Sequence, residues 1–172
     1  YDIGMRGTVW GEWQWNLGAY QTDLKDDIYF VSVGNGQGFF DTIGSTRRRG
    51  LEGGLSGKFG KARLGMNYSL TQATFEDSFN MFSLDNSSAT TVEGLGSGVI
   101  RVEPGDKMPG VSLHNLNANF SYDLTDKWTV GLTAVAHSES YLRGNENNDH
   151  QVGVASIRQF PGGNGGVGTI SR

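Results

Sequence analysis

Residues 116–122 read Leu-Asn-Ala-Asn-Phe-Ser-Tyr, an unbroken alternation of apolar and polar side chains. Successive side chains of an extended strand point to opposite faces, so this run has one face for an apolar phase and one for a polar phase. A helix would scatter the same residues round its axis. A second run follows the short polar turn Thr125-Asp126-Lys127. There Val130, Leu132, Ala134 and Ala136 share one face, and Thr129, Gly131, Thr133 and His137 share the other, with Val135 as the exception. Folding about Asp126 sets Phe120 opposite Leu132 and Ala118 opposite Ala134. Asn119 then meets Thr133, and Asn115 meets His137. Both apolar sets fall on one side, as a hairpin requires.

A second hairpin gives the same result. With Phe59-Gly60 as a two-residue loop between Lys58 and Lys61, Leu55 faces Leu64, Gly53 faces Met66 and Leu51 faces Tyr68. The polar partners are Ser56 with Arg63, and Glu52 with Asn67. A third pairing joins residues 13–33 to 38–58 through Gly34-Asn35-Gly36-Gln37. Its arms are ~20 residues long, against ~5–6 in ordinary globular sheets. Trp13 and Trp15 stand near one end, and Tyr29, Phe30, Phe39 and Phe40 near the other. At ~3.3 Å per residue and ~45° of tilt, Trp15 and Tyr29 lie roughly 33 Å apart along a membrane normal. That suits an apolar band of ~25 Å with an aromatic girdle at each edge. The alternation slips near Ala19-Tyr20, which predicts a bulge there.

Composition agrees with a sheet that has one wet face. Only 36% of residues are hydrophobic and 27 are glycine, which disfavours a helical protein, while 11% aromatic content disfavours disorder. The net charge of −4 argues against a nucleic-acid partner. Cysteine is absent, so neither a disulfide framework nor a cysteine metal site is possible. No run approaches the ~18 apolar residues of a membrane-crossing helix, which leaves strands that alternate across a membrane untouched. The expected fold is therefore all-β: an antiparallel meander of long transmembrane strands, part of an outer-membrane β-barrel, with about seven strands. Short connections near Gly11, at Phe59-Gly60 and at Asp126 alternate with a long one over 76–110 and a medium one over 143–150. Periplasmic turns of such barrels are short and extracellular loops longer, which sets the sidedness. The barrel segment is placed at 1–157, and the Gly-rich stretch 158–172 is read as a flexible tail. Tyr1-Asp2-Ile3-Gly4-Met5 already reads as a strand without a signal peptide, so an internal fragment or processed product is expected.

Three segments carry a resemblance. They are Tyr20-Gln21-Thr22-Asp23-Leu24-Lys25-Asp26-Asp27-Ile28-Tyr29-Phe30-Val31-Ser32; Thr46-Arg47-Arg48-Arg49-Gly50-Leu51-Glu52 followed by Gly57-Lys58-Phe59; and Pro104-Gly105-Asp106-Lys107-Met108-Pro109 followed by His114-Asn115-Leu116. In order and spacing they resemble the C-terminal third of a TonB-dependent receptor barrel, over roughly residues 1–150. The resemblance implies a barrel of about 22 strands with a plug in its lumen. It implies a Gram-negative outer membrane, a small-molecule nutrient such as a ferric siderophore, and sometimes cobalamin or a sugar. A TonB-type partner supplies the energy, acting through an N-terminal part with plug and TonB box that these residues do not resemble. Outer-membrane lipid and lipopolysaccharide would surround it.

Candidate ligand residues follow from the faces. Asn115, Asn117, Asn119, Thr133 and His137 share the polar, lumenal face. Phe79, Met81 and Phe82 stand among Asn, Ser, Thr and Gly in the long loop, and loops of that length are often functional. Arg47, Arg48 and Arg49 are a candidate patch for an anionic ligand or for lipopolysaccharide phosphates. The bland reading of that cluster is an interfacial ion-pair patch. Pairing about the third turn puts it near Asp23, and parity with Leu51 and Leu55 turns Arg47 and Arg49 outward. His114, His137 and His150 lack metal-ligand spacing. Asp26-Asp27 point to opposite faces and do not make a catalytic pair. Asn145-Glu146-Asn147-Asn148-Asp149 is oxygen-rich but lacks the spacing of a calcium loop, and is read as a solvated extracellular loop. No nucleophile motif, phosphate loop or cofactor fingerprint is found, so no enzyme activity and no cofactor are expected.

The rival readings are a small self-contained outer-membrane barrel with a structural or adhesive role, a soluble β-sandwich binding module, and a hydrolytic barrel enzyme. Strand length and the aromatic belts disfavour the sandwich, and no serine–histidine arrangement supports the enzyme. A chain with a lipid-facing surface and open strand edges is expected to aggregate in water and to fold only in detergent. Sedimentation and denaturant titration check this; a monomer that unfolds cooperatively in plain buffer would contradict it.

Overall fold

The computed structural model describes residues 1–34 and 37–151. The expected tail at 158–172, and Asn35 and Gly36 in the third turn, lie outside the described residues. There are eleven strands and no helix among the described residues: β1 (Asp2–Val9), β2 (Trp13–Leu24), β3 (Ile28–Gly34), β4 (Gln37–Thr42), β5 (Thr46–Phe59), β6 (Ala62–Phe75), β7 (Phe79–Phe82), β8 (Thr90–Val92), β9 (Gly96–Val102), β10 (His114–Thr125) and β11 (Trp128–His137). Six of them form one open sheet in the order β1-β2-β5-β6-β10-β11, with β1 and β11 at its edges. The fold is all-β and antiparallel, a partial barrel wall.

The alternation fixes the registers. In the β10–β11 ladder Asn115 pairs with His137, Ala118 with Ala134, Asn119 with Thr133 and Phe120 with Leu132, as folding about Asp126 requires. The β6–β10 ladder sets Tyr68 against Leu116, Asn67 against Asn117 and Leu64 against Phe120. Apolar residues therefore align across three strands on one face and amides on the other.

Three details depart from the expectations. The second turn is Gly60-Lys61, one residue later than Phe59-Gly60, because β5 runs through Phe59. Gly60 has φ +59°, the conformation that a type II′ turn demands of its first central residue, and glycine takes it without strain. The β1–β2 ladder passes Ala19-Tyr20 without a shift, from Asp2↔Tyr20 to Val9↔Trp13. The slip lies higher, where the long third pairing breaks in both arms. Asp26 at φ +55° and Gly44 at φ +87° interrupt the extended backbone, dividing the arms into β2 and β3, and β4 and β5. Asp27 N–H donates to Gly44 O (2.8 Å) and Ile43 N–H to Asp27 O (3.0 Å), which carries the pairing past the break. Because of this break, Trp15 and Tyr29 do not share one straight strand.

The described residues divide into two compact units: residues 1–22, 48–72 and 111–140, and residues 23–34, 37–47, 73–110 and 141–151. Every buried apolar side chain among the described residues belongs to the second unit, including Val31, Phe75, Met81, Val99, Ile100 and Val102. The stretch 76–110 is not an open loop. It folds into a three-stranded sheet in the order β7-β9-β8. In the same unit Tyr29 packs edge-on against Phe75 (5.5 Å between centroids) and Phe30 against the exposed Phe40 (5.5 Å). The first unit instead leaves its large apolar side chains exposed, among them Leu51, Phe120 and Leu132. At its short turns Trp10, Phe59 and Trp128 are strongly exposed, an aromatic row at one rim.

Glycines let neighbouring strands carry large side chains flat against the sheet. Tyr20 lies over Gly50 and donates to Thr71 Oγ1 at 3.3 Å, while Trp13 lies over Gly57. A Cβ on Gly50 would strike the Leu70 carbonyl oxygen and the Tyr20 ring. Gly50→Val is expected to destabilise the folded chain by about 1–3 kcal/mol through overpacking. Urea unfolding in detergent micelles measures it, and an unchanged midpoint would refute the packing role.

Candidate functional site

The polar face of the first unit holds a concavity of about 340 Å³. Four strands shape it: Asn16 from β2, Glu52 from β5, Asn67 and Ser69 from β6, and Asn115 and Asn117 from β10. Val135 and His137 of β11 also line it, with Gly53, Tyr68 and Leu116, so the one apolar break in the β11 alternation is part of its wall. Its depth comes from glycine. Asn16 Nδ2 and Asn67 Oδ1 lie 2.5 and 2.9 Å from the point where a Cβ of Gly54 would stand. The Asn119 amide lies over Gly65 in the same way, with Oδ1 2.8 Å from that point. With no side chain at Gly54 or Gly65, the amides rest along the sheet and leave a trough.

Of the residues expected on the lumenal face, Asn115, Asn117 and His137 line the trough. Asn119 and Thr133 pair with each other farther along the same face. His137 Nδ1 and Asn115 Oδ1 are 2.9 Å apart across the β10–β11 ladder. Asn16, Glu52, Asn67 and Ser69 were not among the candidates. Carrying the same parity onto β2, β5 and β6 would have found them. Toward the short turns the face is closed by charge: Arg63 holds Asp123 through two nitrogens (2.9 and 2.6 Å), and Thr129 donates to the same carboxylate at 2.7 Å.

The other candidates are placed differently. Met81 is 4% exposed and sits in the core of the second unit, and Phe79 stacks edge-on against Phe75 at 5.2 Å. Phe82 is half-buried. The long segment is apolar there because it builds a core of its own. The arginine run is divided. Arg47 Nε meets Asp23 at 2.6 Å, as the third pairing requires, and its Nη1 meets Glu76 at 2.9 Å. Arg48 is half-buried, and Arg49 Nε donates to Gln72 Oε1 at 3.0 Å.

The segment 145–149 is not a solvated loop. Glu146 is 1% exposed; Gly144 N–H donates to its Oε2 at 2.9 Å and the Tyr29 hydroxyl to its Oε1 at 3.3 Å. Asn147 Oδ1 accepts from Asn86 at 3.1 Å, and Asn148 Oδ1 from Lys107 N–H at 2.7 Å. Asn145 Oδ1 accepts from His150 N–H at 3.0 Å. These oxygens are engaged in folding the segment, and among the described residues no group of three potential metal ligands comes together.

Comparison with known proteins fits this geometry. A family profile described as "TonB dependent receptor-like, beta-barrel" matches residues 1–162. The chain belongs to that family of outer-membrane receptors and transporters. No curated protein sequence gives a match.

Burial pushes the Glu146 carboxyl above its usual range, against the opposing pull of its hydrogen bonds and of Arg143. The folded chain therefore binds that proton more readily than the unfolded one, and the carboxylate destabilises the second unit as pH rises through and above the ordinary carboxyl range. Lowering the pH from neutral into that range should stabilise the unit, and Glu146→Gln should remove this part of the pH dependence. Thermal unfolding of both forms between neutral pH and that range checks it; identical pH profiles would refute it.

Proposed function

We propose that this barrel wall belongs to a receptor that takes up a scarce nutrient, a ferric siderophore first among the ligand classes, with energy from a TonB-type partner. Its place is the Gram-negative outer membrane, with lipopolysaccharide as the lipid around its outward face. The trough on the polar face carries the reading. It offers amides, hydroxyls, an imidazole and a carboxylate, which both donate and accept hydrogen bonds. Such a set of donors and acceptors suits a hydrated, oxygen-rich chelate. Asn115, Asn117, Asn119, Thr133 and His137 are the wall residues a passing ligand meets in this reading. Of the arginine run, Arg48 has the parity of Glu52 and adds positive charge on the polar side that draws an anionic chelate, whereas Arg47 is met by Asp23 and Glu76 and Arg49 faces outward.

Uptake of a labelled ferric siderophore by cells producing the receptor that contains this segment tests the proposal. Uptake should vanish when the TonB-type partner is deleted. Asn117→Trp, which fills the trough, should lower it severalfold with the receptor still present at normal level in the outer membrane. Uptake that persists without the partner sinks the energised-transport reading, and wild-type uptake by Asn117→Trp sinks the role of the trough.

A further inference from the structure

Three adjacent strands change from apolar to polar at one level of the outward face. The outward positions of β5 from 59 to 51, of β6 from 62 to 70 and of β10 from 124 to 116 are apolar or glycine on alternate residues. The next outward residues are Arg49, Gln72 and His114. About ten residues of strand at ~3.3 Å each and ~45° of tilt make an apolar band of roughly 23 Å, close to the hydrocarbon height such barrels present. Arg49, Gln72 and His114 therefore stand at the band's edge, at the end away from the short turns. That is the level of the outer-leaflet headgroups.

These side chains are arranged together. Arg49 Nε donates to Gln72 Oε1 at 3.0 Å, an engagement of the oxygen that leaves the amide nitrogen of Gln72 as a further donor. Tyr68, the last aromatic of the β6 band, reaches up to His114: its hydroxyl and Nδ1 are 2.7 Å apart, and the rings stack at 6.1 Å. Arg49, Tyr68 and His114 are exposed. No outward position of β5, β6 or β10 from this level down to the turns is a carboxylate. Arg49 thus differs from Arg47, whose charge is met by Asp23 and Glu76.

We propose that Arg49, Gln72 and the Tyr68–His114 pair form a headgroup site for a phosphorylated lipid of the outer leaflet. The guanidinium fork matches phosphate oxygens, and Gln72 supplies a neutral donor beside it. An arginine next to hydrocarbon reaches its headgroup without leaving the wall. The site rests on the outer-membrane barrel reading and gives the outward face a lipid preference that the transport role does not require.

The test uses the full chain folded in a neutral detergent. It is titrated with lipid A, with phosphatidylcholine and with inorganic phosphate, and bound lipid is read by native mass spectrometry. Lipid A should be retained over phosphatidylcholine, and inorganic phosphate at equal concentration should not displace it. Arg49→Ala and Arg49→Gln should weaken lipid A binding about fivefold, as expected for one cation near a charged bilayer surface. Arg49→Lys should weaken it less, and Lys61→Ala, in a turn at the opposite rim, should leave it unchanged. Equal retention by wild type, Arg49→Ala and Arg49→Gln overturns the proposal, and so does displacement by inorganic phosphate. If the wild-type chain acquires no β-sheet circular dichroism in detergent, the barrel reading fails and takes this site with it.

Discussion

A strand inside a hydrocarbon layer has no water beside it, so each backbone N–H and C=O must bond to a neighbouring strand. The rest of this structure depends on that requirement. The β1–β2, β6–β10 and β10–β11 ladders run in regular antiparallel register over most of their length, which satisfies the backbone before any side chain is considered. The side chains are then free to address two different phases. This explains the distribution of packing: every buried apolar side chain among the described residues falls outside the first unit. A wall with lipid on one face and a polar space on the other buries its greasy surface in lipid. The segments of the second unit have no such solvent and build a core around Phe75, Val99 and Ile100 instead.

Glycine shapes the wall. Where Gly54 and Gly65 leave room, Asn16, Asn67 and Asn119 lie along the sheet instead of projecting from it. On the outward face Trp13 uses Gly57 in the same manner. Half of each strand is thus kept thin, and a trough opens on the polar side without any strand moving apart.

The second unit solves a different problem, the burial of polar groups. Glu146 is buried with both carboxylate oxygens accepting hydrogen bonds. Arg143 lies over the rings of Tyr29 (5.4 Å) and Phe30 (5.7 Å), so a positive charge stays close without a direct ion pair. Asn86 and Asn147 join two distant stretches of chain in the same network. Among the described residues each buried side-chain nitrogen and oxygen has a partner, which removes much of the cost of taking it from water.

How much of this could be read from the amino acids depends on the range of the interaction. Alternation is local, with a period of two residues, so the two faces, the β10–β11 register and the Arg47–Asp23 pair followed from spacing alone. Asn16, Asn67 and Ser69 carried the same parity signal and were legible in principle. The break at Asp26 and Gly44 was not, because Asp and Gly visit the left-handed region without being required to, and the bonds that accompany it join Asp27 to Ile43 and Gly44 of the other arm. The burial of Glu146 was not legible either. Its partner Tyr29 lies 117 residues away, and a run of Asn, Glu and Asp looks solvated until a core forms beneath it. The sequence by itself determined a two-faced antiparallel wall and its membrane-facing side. Only the tertiary structure decided where the strands kink, which loop residues become core and which amides meet in the trough, because those outcomes depend on contacts between segments that no local pattern encodes.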